Sequence, residues 1–319
     1  GQTAPSGDGL VYFNDIKLYP PRCVPEKAIA DITGDCVVGT EDLDLMAKDW
    51  LEYDHDVYPT EPAPTGLVAW YEFEDSNNIG WDSSGNELHG DPCGDATIVY
   101  DAGGNGKLPG NVLNLESAGA YINCGSDPMF DITESITLAC WLKVNSFESW
   151  WVQILSRGQD SYRLASKDGF DWLEFVIEGV VPDWHIYGSI DVADGQWHHV
   201  IGVYEHNVAA YLYIDGVVDV SQAMSGDIIL SEADVCIGSN VHSPTNLNGW
   251  MDDVRIYDRA LSQAEILYLA SEGANNDPYY NPVTSPANIY DEEPQYQKAV
   301  NFMDYAIMAD NWLDEILWP

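Results

Sequence analysis

Residues 209–220 read "AAYLYIDGVVDV". Two apolar runs flank Asp215-Gly216, and a two-residue turn between antiparallel strands needs positive φ at both central positions, which Asp-Gly tolerates. The stretch is therefore a β-hairpin. The same signals recur on either side of it: "GLVAWYEF" (66–73), "SITLACWLKV" (135–144), "LEFVIEG" (173–179), "WHHVIGVY" (197–204), "VCIGSN" (235–240) and "GWMDDVRIY" (249–257) are short apolar or alternating runs between turns. Many strands at this spacing, with little helix between them, predict a mainly β fold, an antiparallel sandwich or jelly roll. One helix closes the region, "LSQAEILYLASEG" (261–273), with Ser262 as N-cap, Glu265 three residues on and Gly273 past the end.

Composition bounds the function. The chain has 319 residues, 45% of them hydrophobic, enough for a full core. Its net charge is −41, from 53 acidic and 12 basic residues. Such an excess repels nucleic acid and anionic membrane surfaces and favours divalent cations. No apolar run is long enough to span a bilayer, so membrane insertion is not expected. Cys23, Cys36, Cys93, Cys124, Cys140 and Cys236 are an even set without CxxC spacing. In an acidic chain with a calcium-type loop they predict disulfides formed outside the cytoplasm. The expected pairs are Cys23–Cys36 on locality, then Cys93–Cys124 and Cys140–Cys236 between strands. The location expected is extracellular or at the cell surface, with Gly1 as a processed start.

The metal signal lies in "DITGDCVVGTEDLDLMAKDWL" (31–51). Asp31, Thr33 and Asp35 offer side-chain oxygens, Val37 a carbonyl and Asp42 a closing carboxylate, the oxygen-rich set that Ca²⁺ prefers. Cys36 stands where an EF-hand has its turn glycine, and Asp42 where it has a glutamate. An Asp in that last place is a dockerin feature, and the segment resembles a dockerin repeat. A second copy ends the chain: Val38, Asp42, Met46, Ala47, Trp50 and Leu51 match Val300, Asp304, Met308, Ala309, Trp312 and Leu313. This alignment sets Glu293, Gln295 and Gln297 against the first-loop ligands, with Pro294 inserted, so metal is expected at the first loop, and none or weak binding at the second. Whether the halves meet within one chain or between chains stays open.

A second echo sets "VYFNDIKLY" (11–19) against "GWMDDVRIY" (249–257). A lone strand with Val11, Phe13, Ile16 and Leu18 on it must find a sheet for its backbone groups. If it pairs with a neighbouring subunit, beside Trp50 and Trp312 of the helical halves, head-to-tail growth makes a filament.

Together "LVAWYEFED", "DSSGNELHGD", "ITLACWLKV", "DGQWHHVIGVY", "LYIDGVVDV", "CIGSN" and "GWMDDVRIYDRALSQAEI" resemble the laminin G-like, concanavalin-like sandwich over residues 67–272. The resemblance implies two antiparallel sheets and a structural calcium carried by Asp82, Asn86 and Asp252. It makes the domain plan 1–22 strand arm, 23–57 dockerin-like loop and helix, 58–66 Pro-rich linker, 67–274 sandwich, and 275–319 connector with the second dockerin-like helix.

An enzyme is not expected. Concanavalin-like glycosidases place Glu-x-Asp-x-x-Glu on one strand, whereas Glu174 and Glu178 lack the helper Asp, and no nucleophile or phosphate-loop motif occurs. His198 and His199 read as packing residues. Two non-enzymatic functions remain: a calcium-stabilised filament subunit, or a monomeric lectin-like or dockerin-type anchoring module. For the lectin, Trp150, Trp151, Trp172 and Trp184 lie in or beside loops where their rings can stack on glycan.

Overall fold

The computed structural model describes residues 30–35, 37–50, 55–147, 149–167, 170–240, 247–273, 279–281, 286–290 and 298–311. Two compact units emerge. Residues 57–279 make one, and the described residues up to Asp56 join those from Tyr280 onward in the other.

The strands are β1 (His55–Val57), β2 (Leu67–Tyr71), β3 (Asp91–Cys93), β4 (Thr97–Asp101), β5 (Gly110–Asn114), β6 (Tyr121–Gly125), β7 (Ile136–Val144) and β8 (Gln153–Arg157). There follow β9 (Tyr162–Ser166), β10 (Leu173–Ile177), β11 (His185–Tyr187), β12 (Trp197–Glu205), β13 (Ala209–Ile214), β14 (Val217–Ala223), β15 (Val235–Ile237), β16 (Gly249–Tyr257) and β17 (Tyr279–Asn281). The helices are α1 (Thr40–Lys48), α2 (Gln263–Ala270) and α3 (Phe302–Asp310).

The larger unit is the expected antiparallel sandwich. One sheet runs β11-β10-β9-β8-β15-β6-β3; the other runs β14-β13-β12-β7-β16-β5-β4, with β2 as an eighth strand on β16. The hairpin that announces the fold joins β13 to β14, with Ile214 opposite Val217 and φ of 52° at Asp215 and 80° at Gly216. Alternation sends Ile122, Leu155, Leu164 and Phe175 inward from the first sheet to meet Leu138, Val200, Leu212 and Ile256 of the second in a continuous core. The sheets approach so closely at Gly202 that a Cβ there would meet the Phe175 ring at 2.5 Å.

The outer faces differ. On the eight-stranded sheet, Ala139, Ile201, Val203 and Tyr257 are covered by Leu261, Ile266 and Leu269 of α2 and its approach. That helix starts as predicted: the Ser262 hydroxyl accepts the Glu265 N–H, and the Glu265 carboxylate accepts the Ser262 N–H at 2.8 Å. Residues 58–65 are irregular, as expected, but they are not a bare spacer. The Arg259 guanidinium donates to the Thr65 and Ala63 carbonyls, and the Thr60 N–H donates to Ala264, so the segment lies on the sandwich.

In the smaller unit the two halves of the split repeat pack on each other within one chain. Ala30, Val38 and Met46 share a buried cluster with Ala287, Val300 and Met308, and Trp50 meets Phe302 edge-on at 5.1 Å. The choice left open by the sequence thus falls to pairing in cis. The strand arm 1–22 with Val11, Phe13, Ile16 and Leu18, the pair Cys23 and Cys36, and Trp312 lie outside the described residues.

None of the other expected disulfides forms. Cys140 is on β7 and Cys236 on β15, in different sheets. Cys93 on β3 faces Tyr121 in register, while Cys124, three places along β6, points inward to the core. Strand alternation separates the sulfurs that linear spacing paired.

Candidate functional site

The acidic loop forms as the sequence spacing requires. One carboxylate oxygen each from Asp31, Asp35 and Asp42 lies within 4.8 Å of the others. Asp31 and Asp42 are fully buried, Asp35 exposed. Backbone N–H groups hold them: Gly34 and Asp35 donate to Asp31 Oδ1 at 2.6 and 3.1 Å, Val37 to Asp35 Oδ1 at 2.9 Å, and Thr33 and Gly39 to the two oxygens of Asp42. The Thr33 hydroxyl turns to Asp31 Oδ1. Oxygens bound to one Ca²⁺ at about 2.3–2.6 Å lie no more than about 5 Å apart, so the three carboxylates fit a single ion.

The second copy differs from its alignment. Asp304 is buried and its Oδ2 accepts the Asn301 N–H, as Asp42 Oδ2 accepts that of Gly39. Its Oδ1, however, accepts Ile289 and Tyr290 N–H groups, and Ile289 N–H donates to Ala287 as Ile32 N–H donates to Ala30. Structurally Ala287-Asn288-Ile289 is the counterpart of Ala30-Asp31-Ile32. Asn288, with its Oδ1 buried and without a partner, therefore takes the place of Asp31. The place does not fall to Glu293, which lies outside the described residues along with Gln295 and Gln297. Among the described residues this loop offers one amide oxygen, Asn288 Oδ1, and one carboxylate, that of Asp304, whose oxygens accept backbone N–H groups as those of Asp42 do.

Asp82, Asn86 and Asp252 are occupied separately. Asp82 accepts N–H groups of Trp70, Ser84 and Leu88, and the Asn86 amide donates to the Leu67 and Val68 carbonyls. This is an Asx-turn clamp on β2. Asp252 Oδ2 meets Lys107 Nζ at 2.6 Å, so an ammonium stands where the resemblance implies a cation. Burial pushes the Asp252 carboxyl up to about 7, although Lys107 pulls it down. Asp252 and Glu272 hold the Lys107 ammonium above its usual range in spite of its burial. His199 is packed against Trp141, and burial pulls it down to about 3. His198 bridges Asp215 and Asp194, and its hydrogen bond to Asp215 raises it.

Trp150, Trp151 and Trp172 fall at one end of the seven-stranded sheet, whereas Trp184 lies at the other end of β10, where its carbonyl accepts the Ile177 N–H. Cross-strand register lines up Gln153, Ala165, Glu174 and Tyr187 on β8, β9, β10 and β11, and alternation puts all four on the sheet's outer face. Trp172 and Lys167 extend the β9–β10 hairpin, with the Lys167 N–H donating to the Trp172 carbonyl. The Trp172 ring stacks on Phe170 at 4.0 Å. Lys167 Nζ lies 4.0 Å over the Tyr187 ring, and His185 stacks beside Tyr187 at 5.6 Å. Trp184 tilts against His185 at 6.0 Å. Trp151 precedes β8, packs edge-on to Trp150, and accepts the Gln153 side-chain amide on its carbonyl. Trp150, Trp151, Phe170, Trp184 and Tyr187 are all exposed. Within this frame Glu174 is buried, 3.4 Å from His185, and Gln153 Oε1 is buried without a partner. Glu178 turns away to Arg163. Phe170, His185, Tyr187 and Lys167 escape the sequence reading; the two-residue spacing of His185 and Tyr187 on one strand was the available signal.

Comparison with known proteins fits this architecture. Residues 116–267 match the family model of the concanavalin A-like lectin/glucanases superfamily. The matched stretch runs from just past β5 into α2, inside the sandwich. No curated protein matches the chain in sequence. Among solved structures, the binding domain of Paraclostridial mosquitocidal protein 1 superposes with a TM-score of 0.52 at 17% identity, over 66% of this chain and 53% of that one. Domain 4 of AbnA, an extracellular arabinanase from Geobacillus stearothermophilus solved with arabinotriose, gives 0.49 at 22%, over 64% and 98%. The receptor binding domain of botulinum neurotoxin C/D mosaic serotype gives 0.49 at 16%, over 66% and 52%. The chain spans about half the length of the two toxin domains. At these identities the likeness is one of fold. Among the described residues, no helix is long and apolar enough to cross a membrane.

Proposed function

We propose that residues 57–279 are a non-enzymatic glycan-binding module of an extracellular protein, and that the aromatic end of the seven-stranded sheet holds the sugar. The observation that carries this is the outward row Gln153–Ala165–Glu174–Tyr187 framed by Trp151 and Trp172. Sugar rings stack their C–H faces on aromatic faces and need a few buried polar groups for their hydroxyls. Tyr187, Trp172 and Trp151 supply the first, and Glu174 and the unpartnered Gln153 Oε1 the second. Small Ala165 leaves room at the floor. Titration against a panel of plant and bacterial oligosaccharides is the test. A Trp151→Ala/Tyr187→Ala double variant should bind the best ligand on the order of tenfold or more weakly, at about 0.5–1.5 kcal/mol per aromatic contact. A variant that binds as the parent does, or a panel with no ligand, rejects the reading.

Calcium belongs to the same proposal. Asp31, Asp35 and Asp42, with the carbonyl of Val37, would hold it in the smaller unit and neutralise charge there; the second loop would bind weakly or not at all. A docking role for that unit has its own support. Leu43, Met46, Ala47, Trp50, Phe302 and Tyr305 line an apolar groove of about 350 Å³ between α1 and α3, and Phe302 is 75% exposed. This favours dockerin-type anchoring, tested by loss of retention on a cohesin-like partner in a Phe302→Glu variant. Filament growth now rests on residues 10–19 alone, since the helical halves satisfy each other.

A further inference from the structure

The outer face of the eight-stranded sheet carries a second cleft, of about 580 Å³, away from the aromatic platform. Its walls are the pinned segment 61–64, the turn 107–110 and the end of α2, and its floor is β2 and β16. Six acidic side chains line it, Glu61, Glu72, Glu74, Asp252, Asp253 and Glu272, against two basic ones, Lys107 and Arg255. The bases are spoken for. Arg255 pairs with Asp253 at 2.9 Å and lies 4.2 Å over the Trp70 ring, and Lys107 is shared by Asp252 and Glu272 at 2.6 and 3.2 Å. Among the described residues no cation pairs with Glu72 or Glu74. At the floor Asp252 is 4% exposed, and its Oδ1 is buried without any partner. A buried carboxylate oxygen left unsatisfied costs free energy that an arriving donor recovers.

We infer that this cleft binds a ligand carrying a primary ammonium group, which donates toward Asp252 and Glu72 while the carbon skeleton lies along Leu67, Tyr257 and Tyr268. A bare metal ion is the poorer occupant. Among the described residues only Asp31, Asp35 and Asp42 converge closely enough to hold one ion. The cleft's acids are instead spread along walls that include Pro62, Pro64, Leu67 and Leu269. A cation on an organic frame uses both features, through charge-assisted hydrogen bonds and contact with aromatic faces.

Calorimetric or NMR titration of the full chain in low salt tests this, with glucosamine and 1,5-diaminopentane as the sugar-borne and alkyl amines and N-acetylglucosamine as the neutral control. Saturable binding of at least one amine is expected, at least tenfold tighter than the control and weakened by added salt. A Glu72→Gln/Glu74→Gln variant should lose tenfold or more. A Glu116→Gln/Glu205→Gln variant, which removes equal charge from exposed positions outside the cleft, should bind unchanged. Trp151→Ala/Tyr187→Ala should also leave amine binding intact, so that failure of this site and of the glycan platform are separable. The inference is overturned if neither amine binds, if the acetylated sugar binds equally well, or if the two glutamate variants weaken binding alike, which would make the effect one of diffuse acidity.

Discussion

Replacing Asp35 by Asn should change the stability of the smaller unit with opposite sign in chelator and in calcium. Three carboxylates within 4.8 Å repel one another when no ion lies between them. At that distance a pair costs about 3.5 kcal/mol at an effective dielectric near 20 and about 1 kcal/mol near that of water. Asp35 is exposed, so its two pairs sit at the lower end, and the substitution relieves about 2 kcal/mol. The Asn side chain keeps an oxygen for the Val37 N–H, which Asp35 Oδ1 accepts at 2.9 Å, so little else is lost. For a unit of under about 100 residues this raises the midpoint by roughly 10 °C in chelator. Calcium reverses the order. Binding to the folded state stabilises the parent by about 4 kcal/mol at a thousandfold excess over Kd, and the variant, one carboxylate short, loses most of that gain, more than the relief of about 2 kcal/mol. Differential scanning calorimetry in EDTA and in CaCl₂ reads both signs. A variant less stable in both media, or a parent whose midpoint ignores calcium, refutes the reasoning.

Other outcomes follow from the same structure. With Cys93, Cys124 and Cys140 free and Cys236 in no disulfide, thiol titration of denatured, unreduced protein should find at least four thiols. In the native state Cys124 and Cys140 should be inert, because burial pushes both thiols well above their usual range. Because burial raises the Asp252 carboxyl to about 7 in the folded chain, its contribution to stability is full below about pH 4 and is lost as pH rises through 7. Asp252→Asn should flatten that decline, by a few kcal/mol across the window; equal pH slopes for parent and variant would exclude it. Deleting residues 1–19 should leave the calcium response intact and abolish any calcium-dependent growth in particle size by light scattering. Unchanged growth would show that the arm is not the joint.

What the sequence revealed depended on how local the signal was. The β13–β14 hairpin was legible because Asp215 and Gly216 alone set its two positive φ values. The start of α2 was legible because Ser262 and Glu265 cap each other within one turn. The four tryptophans could be singled out, but their companions could not: Tyr187 joins Glu174 through cross-strand register, and Lys167 reaches Tyr187 across a hairpin. The two pairs expected between strands failed because strand alternation, which decides where each sulfur points, is a property of the finished sheets. The surroundings of Asp252 were illegible for a related reason. Nothing near Asp252 in sequence announces that Lys107 will occupy it. The alignment of the second dockerin-like loop failed more narrowly. Matching Asp304 and Met308 to Asp42 and Met46 fixed the helix register, both pairs being buried, but more residues separate Asn288 from Asp304 than Asp31 from Asp42. Only the backbone bonds of Asp304 to Ile289 and Tyr290 show that the repeat resumes at Ala287.

The split repeat also explains why its halves satisfy each other within one chain. Helices α1 and α3 are nine residues each, below the roughly 12–15 at which an isolated helix becomes even marginal in water. Each half brings its share of one cluster, Ala30, Val38 and Met46 from the first and Ala287, Val300 and Met308 from the second. A half alone would leave that face in water, at about 25 cal/mol for each Å² of apolar surface exposed. Closing the long intervening chain costs little more than closing a short one, because loop entropy grows only with the logarithm of length. A folded sandwich between the halves reduces that cost further, since its residues are already ordered. Pairing within the chain therefore needs no second molecule. Pairing between chains would have to overcome the loss of translational freedom for the same buried cluster. On that comparison the helical module is a clasp, and the groove between α1 and α3 is an apolar surface that the clasp leaves open.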